Sequence, residues 1–250
     1  MSRVEDAGLN ASAPPQQRWL DGWIVRYLPG KARRARCINA VSVGCLPLDD
    51  KLAMAAEVYR EADLPMLFRL NRFTQPVHLD SELSDRGFAL VDTTRVMVLP
   101  TLPISRPQPL PAGCHWAALN GLAFADAVGA LRGSSAAHRQ GHALRLQYSP
   151  VAYQGYAIRR DVDGAVLACG QFAREADLVG LYDIHTLDSA RGKGLATMLC
   201  EHMLSISALQ GARTGYLQVP SENEAALQVY RRLGFADAYE YHYRERTANA

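Results

Sequence analysis

The stretch LPTLPISRPQPLPAG, residues 99 to 113, places five prolines in fifteen residues. Proline fixes φ and lacks a backbone N–H, so such a run opposes both a long helix and a central strand. It reads as an extended linker over 100–111 and divides the 250-residue chain into nearly equal halves. With 48% hydrophobic and 21% charged residues, each half is large enough to bury a core of its own.

The halves carry similar patterns. Before the linker, DGWIVRYL and RARCINAVSVG read as strands and DDKLAMAAEVYREA as an amphipathic helix. PMLFRL follows as a buried strand, LDSELSDRGF as a short helix stopped by Gly87, and ALVDTTRVMVL as a strand. After the linker the pattern predicts helices over 117–131 and 134–147, then strands YAIRRDV, AVLACGQFA and LVGLYDIHT. A helix over 193–210, strand TGYLQV, a helix over 222–233 and a strand around ADAYEYHYRE complete a mixed α/β pattern. Each half runs helix, strand, helix ending in Gly-Phe, strand. Gly87-Phe88 and Gly234-Phe235 occupy matching places, which points to an internal duplication.

Several classes are disfavoured. A net charge of +2 steers the chain toward neither nucleic acid nor an anionic membrane. No run approaches 18 apolar residues, and residues 1–17 carry two acids and no apolar core, so the start reads as a disordered tail rather than a signal peptide. Five scattered cysteines without a CxxC pair suggest neither disulfides nor zinc, no histidine has metal-ligand spacing, and a reducing, cytoplasmic setting is expected.

The local feature with the most chemistry is TLDSARGKGLAT, residues 186–197. A strand that turns through glycines into a helix presents unpaired N–H groups and the positive end of the helix dipole, a geometry suited to phosphate or pyrophosphate. Gly192 and Gly194 allow close backbone approach, and Arg191 and Lys193 add charge. A dinucleotide fingerprint would need a third glycine where Thr197 stands, and a P-loop would need Ser or Thr after Lys193, where Gly194 stands.

Arg191-Gly192-Lys193-Gly194-Leu195-Ala196 resembles instead the pyrophosphate-binding segment of the GNAT superfamily of acetyl-CoA-dependent N-acyltransferases. TGYLQVPSENEAALQVYRRLGF, residues 214–235, resembles without gaps the strand and helix that follow in that superfamily. The likeness is specific over about 112–246, and the first half looks like a degenerate GNAT-like copy without the anion turn, as in tandem GNAT proteins. The expected domains are therefore 18–99 and a catalytic 112–250. By this resemblance the backbone of Ile184, His185 and Thr186 pairs with the pantetheine arm and supplies an oxyanion-stabilising N–H, and Arg191 to Ala196 hold the pyrophosphate.

The resemblance also gives Tyr230 the role of proton donor to the leaving thiolate; a core tyrosine packed on the sheet is the alternative. Asn223, seven residues earlier on the same helix face, either meets the cofactor or is only a first-turn residue beside a Ser221–Glu224 capping box. Many relatives carry a basic glutamate where this chain has Gln218, and glutamine is no base. Asp183, His185 and Glu222 are the ionisable candidates nearby, with Asp183 preferred because it adjoins the cofactor-pairing backbone. Strand alternation places Asp183 and His185 on one face unless a bulge intervenes. KARRAR, residues 31–36, is either a solvated strand face or a patch for an acidic acceptor or the cofactor 3′-phosphate.

The resemblance thus implies direct acetyl transfer from acetyl-CoA to a primary amine, with a small-molecule acceptor expected, no metal, no nucleic-acid or membrane partner, and a homodimer allowed. Acetylation of a protein N-terminus or lysine, or non-catalytic acyl-CoA sensing, are the alternatives.

Overall fold

The computed structural model describes residues 1–103 and 109–246. Residues 104–108 of the expected linker lie outside the described residues. In chain order the elements are α1 (Ser2–Ala11), β1 (Gln17–Leu20), β2 (Trp23–Arg26), β3 (Ile38–Ala40), α2 (Leu48–Glu61), β4 (Met66–Asn71), α3 (Leu79–Asp85) and β5 (Ala89–Leu99). They continue with β6 (Cys114–Leu119), α4 (Gly121–Leu131), α5 (Ala136–Gln147), β7 (Tyr153–Arg160), β8 (Val166–Glu175) and β9 (Leu178–Thr186). Last come α6 (Leu195–Leu209), β10 (Thr214–Pro220), α7 (Glu224–Arg232) and β11 (Ala236–Arg246).

Contacts group the chain into two compact units whose bounds differ from the expected 18–99 and 112–250. One contains Arg3–Ala11 with Val96–Ala238, the other Ser12–Arg95 with the residues from Tyr239 on. Strands β5 and β11 are each divided between the units. A second correction concerns the tail. Residues 2–11 form a helix because Val4, Ala7 and Ala11 make one buried stripe along it. Polar contacts fix α1 to the later unit: Arg3 pairs with Asp177, Asn10 Nδ2 donates to Glu175 at 3.0 Å, and the Tyr153 hydroxyl donates to the Ala11 carbonyl at 2.6 Å.

In the unit of 12–95, β1 and β2 form a hairpin across Asp21-Gly22, and the strand order is β1-β2-β3-β4-β11. Ile38, Phe68, Leu70, Val58 and Leu83 belong to its core. KARRAR is not a strand: Pro29-Gly30 breaks extension, Arg33–Ala35 form a 3-10 turn, and pairing starts only at Ile38. Arg33 pairs with Asp92 of the same unit.

The other unit has strand order β5-β10-β9-β8-β7-β6. β6 corrects the helix expected from 117. The alanine-rich CHWAAL pairs antiparallel with β7, and the Asn120 side chain then accepts the Ala123 N–H at 2.9 Å, starting α4 one residue later. Leu195, Leu199, Cys200, Met203 and Leu204 line one side of α6 and join the core over the sheet. Each such leucine contributes roughly 1.5–3 kcal/mol on burial, so α6 is anchored along its length and its N-terminus is fixed in place.

The matching Gly-Phe corners are built alike. The Phe88 N–H donates to Leu83 O and the Phe235 N–H to Tyr230 O, each at 3.0 Å. Gly87 and Gly234 take φ of +80° and +90°. Both corners are Schellman helix ends, which require a left-handed residue at the turn.

Candidate active site

β9 and β10 pair in parallel only from Thr214↔Leu178 to Leu217↔Leu181. Beyond Leu181, β9 stays paired with β8 on its other side, through Cys169↔His185 and Ala168↔Thr186. The backbone of β9 from Tyr182 to Thr186 therefore has no register with β10, which opens a cleft between two parallel strands at their carboxyl ends.

A bulge helps to make the opening. Gln171 faces Tyr182 and Cys169 faces His185, so Gly170 opposes both Asp183 and Ile184. Asp183 takes φ +54°, and a Cβ on Gly170 would sit 2.5 Å from Ile184 Cδ1 and 3.1 Å from Leu199 Cδ2. Only glycine lets Ile184 fold onto α6 there. The simple alternation expected for Asp183 and His185 is thus broken.

Below the cleft, Asp188–Ala190 form one 3-10 turn, and Gly192 and Gly194 both take φ +76° before α6 begins at Leu195. Among the described residues, the N–H groups of 192–197 make no backbone hydrogen bond. Arg191, Gly192, Lys193 and Gly194 are exposed, Leu195 is buried and Ala196 half-buried. A Cβ on Gly192 would meet nothing within 4 Å. Arg191 is held by Asp188 at 2.6 Å, and Lys193 is exposed. N–H donors without backbone acceptors, a positive helix end and open space are features that suit a diphosphate.

Tyr230 lies on α7, 9% exposed, with its ring edge-on to Phe235 at 6.2 Å. Burial, reinforced by the nearby Cys200 sulfur, raises its phenol far above the ordinary value. Cys200 is itself fully buried, and burial pushes its thiol up to about 12. Both groups keep their protons at neutral pH, so Tyr230 cannot act as a base, and the same burial makes its phenol a weaker acid. Asn223 is the N-cap of α7, its Oδ1 accepting the Ala226 N–H at 3.2 Å, which leaves its amide N–H groups and one lone pair of Oδ1 for a ligand. The Ser221–Glu224 capping box does not form, because the helix starts two residues past Ser221's cap position.

Asp183 is corrected as a base. Its Oδ1 accepts from Arg132 at 3.0 Å and its Oδ2 from Gln171 Nε2 at 2.8 Å. His142 Nε2 is 3.5 Å and Arg145 Nη2 3.9 Å from Oδ2. Burial alone would raise this carboxyl, but His142, Arg132 and Arg145 outweigh it and hold it well below the usual carboxylate range. An anion so stabilised has little tendency to take a proton. His185 differs: burial first, then the charges of Arg132 and Arg191, lower its imidazole below 6.5, so it is neutral at physiological pH. Glu222 is exposed ahead of α7, and Gln218 lies under α1, where a Cβ on Gly8 would come within 2.7 Å of its Nε2. The His142, Arg132 and Arg145 cluster was not anticipated from sequence; Arg132 and His142 lie 41 or more positions from Asp183, with no motif linking them.

Among the described residues no three His, Cys, Asp or Glu side chains are placed to hold a metal, and no helix is long and apolar enough to cross a membrane.

Splayed parallel strands, a bulge beside them and a glycine-built anion turn leading into a helix define a GNAT-type acetyltransferase. Residues 1–244 match the family described as "Probable histone acetyltransferase Rv0428c C-terminal", and the chain belongs to that family. It is 26% identical over 231 residues, 91% of each chain, to an uncharacterized N-acetyltransferase, YobR, of Bacillus subtilis (strain 168). It is 31% identical over 80 residues, 32% of this chain and 42% of the other, to the streptothricin acetyltransferase of Streptomyces lavendulae. In fold it is similar to a GCN5-related N-acetyltransferase from Kribbella flavida, with TM-score 0.67, 19% identity and coverage of 99% and 96%. A tandem GNAT protein from the clavulanic acid biosynthesis pathway aligns with TM-score 0.65 and 15% identity over 81% of this chain and 70% of that one.

Proposed function

We propose that the unit containing β9, β10 and α6 binds acetyl-CoA and transfers its acetyl group directly to a primary amine, and that the unit of 12–95, lacking an Arg191–Ala196 turn, binds none. The observation that carries this reading is the conjunction of the open β9 backbone with the unpaired N–H groups at the start of α6. The cosubstrate supplies an activated acetyl thioester. The N–H groups of 192–196 hold its diphosphate, and the β9 backbone at Ile184 to Thr186 aligns the pantetheine arm and offers an N–H to the developing oxyanion. Tyr230 delivers its proton to the departing sulfur. His185, neutral and on β9, receives the proton of the acceptor ammonium, the role that neither Gln218 nor Asp183 can fill. No side chain in the cleft is placed as a covalent nucleophile in this reading, so transfer is direct.

A small-molecule amine is the proposed acceptor. The family description favours a second reading, a protein lysine. Calorimetry with acetyl-CoA and thiol release with parallel panels of small amines and lysine peptides test the scheme. Binding of one acetyl-CoA per chain with turnover of small amines is the expected result. Tight binding without turnover of any amine would indicate a sensor, and two sites of equal affinity would contradict a silent unit of 12–95.

A further inference from the structure

Resting on the reading that the open end of β9 receives the acetyl donor, we propose that the acceptor amine also carries an anionic oxygen group, a carboxylate or a phosphate. Arg132 binds that group, and Asp183 is the residue that positions Arg132.

Charge balance around Asp183 is the starting point. One carboxylate faces two guanidinium groups, Arg132 at 3.0 Å and Arg145 at 3.9 Å, with the His142 ring at 3.5 Å. The cluster therefore keeps at least one positive charge in excess, whatever the state of His142. A purely structural tie between α4, α5 and β9 would need only one guanidinium, since a second one set in a half-buried place costs desolvation without a counter-charge.

The two arginines are placed differently. Arg145 is 14% exposed and acts as a fixed wall, whereas Arg132, at the C-cap of α4, is 38% exposed. Among the described residues the Arg132 side chain makes one hydrogen bond, to Asp183 Oδ1. A guanidinium has five N–H donors in a planar fork, so an edge remains for a carboxylate or phosphate. Asp183 sits immediately before the backbone that aligns the donor, and the His185 ring reaches the carbonyl of Leu131, next to Arg132. Arg132 thus lies beside Asp183, at the start of the donor backbone, and close enough to the proposed base for its charge to act on it.

The backbone supports a role beyond packing. Asp183 takes φ +54° at the bulge, a left-handed conformation that aspartate tolerates better than most residues but that is uncommon within a strand. It is held there by contacts from α4, α5 and β8 together, so the side chain is fixed before any ligand arrives. Such fixation keeps the Arg132 fork in one orientation, which is what an anion-binding arginine requires.

The test uses pairs of primary amines that differ only in the anionic group: a carboxylate against its carboxamide, and a phosphate monoester against its alcohol. Thiol release gives kcat and KM for each, and calorimetry follows acetyl-CoA binding. For the wild type, the anionic member of at least one pair is expected to have the lower KM by roughly 10- to 100-fold, the worth of a charge-assisted contact. Arg132→Gln should raise that KM toward the level of the neutral partner, a loss roughly 10-fold or more larger than any change it makes in the neutral partner's KM. It should also move the acid limb of the pH profile upward, because the charge of Arg132 helps to lower His185. Arg132→Lys should recover part of the preference, and Asp183→Asn should weaken it through the misplaced fork. Which pair responds identifies carboxylate or phosphate. Equal KM within both pairs, an Arg132→Gln loss shared by charged and neutral amines, or turnover confined to amines without an acid would overturn the proposal. Failure of acetyl-CoA to bind would instead sink the donor-site reading, and this proposal with it.

Discussion

Gly194 is the position where the anion turn is most open to a decisive perturbation. It holds φ +76° at the N-cap of α6, and a Cβ there would meet only Met198 Cε at 3.9 Å. Gly194→Val therefore meets no packed atom, and its cost in the folded state is conformational. A left-handed β-branched residue costs about 1–2 kcal/mol or somewhat more. That is a small fraction of the stability of a chain this size and lowers Tm by roughly 2–8 °C, at about 2–4 °C per kcal/mol. The valine methyls, however, project into the space where the N–H groups of 192–196 converge. Losing one or two charge-assisted hydrogen bonds at about 1.5–3 kcal/mol each weakens acetyl-CoA binding by roughly 10- to 10⁴-fold. Calorimetry on a sample whose circular dichroism and melting curve show a folded protein is the assay. A folded Gly194→Val variant with Kd within threefold of wild type would refute the claim that these amides hold the diphosphate.

Three further outcomes are expected. Tyr230→Phe should lower kcat by about 10²-fold or more with acetyl-CoA affinity and Tm nearly unchanged, because only the donor proton is lost; turnover within a few fold of wild type would make Tyr230 a core residue only. In the wild type, kcat/KM should fall as pH drops through the lowered pKa of His185, below 6.5, because the base works only when deprotonated; His185→Gln should remove that limb, and its persistence would assign it elsewhere. Gly8→Ala should gain less than the roughly 1 kcal/mol of helix propensity in the wild type, where its Cβ would press on Gln218 Nε2 at 2.7 Å. In a Gln218→Ala background the full gain should appear in urea denaturation, and equal gains in both would show that α1 does not pack on Gln218.

Where periodicity was strong, the sequence was sufficient. LVGLYDIHT forms β9 from its first residue to its last, and the helix expected over 193–210 is α6 within two residues of each bound. The turn was legible because glycines at 192 and 194 have a local cause, a positive φ, that single residues reveal. What stayed hidden depends on tertiary placement. The polar start of the chain gave no sign of a helix because its buried stripe is mostly alanine and glycine, too weak a pattern to read without its partner surface. The bulge at Asp183 was allowed for but not located, because it needs Gly170 on the neighbouring strand. Asp183 misled as a base for the same reason: its basicity is set by Arg132, His142 and Arg145, which only the fold brings to it.

The absence of a glutamate at position 218 follows from the same unit. Gln218 stands on β10 beneath α1, and Gly8 is the residue that lets the helix approach so closely. α1 already buries one carboxylate, Glu5, which is 7% exposed. A carboxylate at 218, half-buried under α1, would lose hydration that its charge requires. A neutral amide at 218 avoids that desolvation and still lies against the helix at Gly8. The consequence for chemistry is directional. In the proposed scheme, with β10 carrying no base under α1, proton removal falls to the other strand of the cleft, where His185 stands beside Arg132 and Asp183. An acceptor that must present its amine on that side meets a net positive wall, which repels a bare ammonium and favours an amine whose own anionic group offsets the charge. In that scheme the covered strand, the neutral imidazole and the arginine fork favour the same approach path.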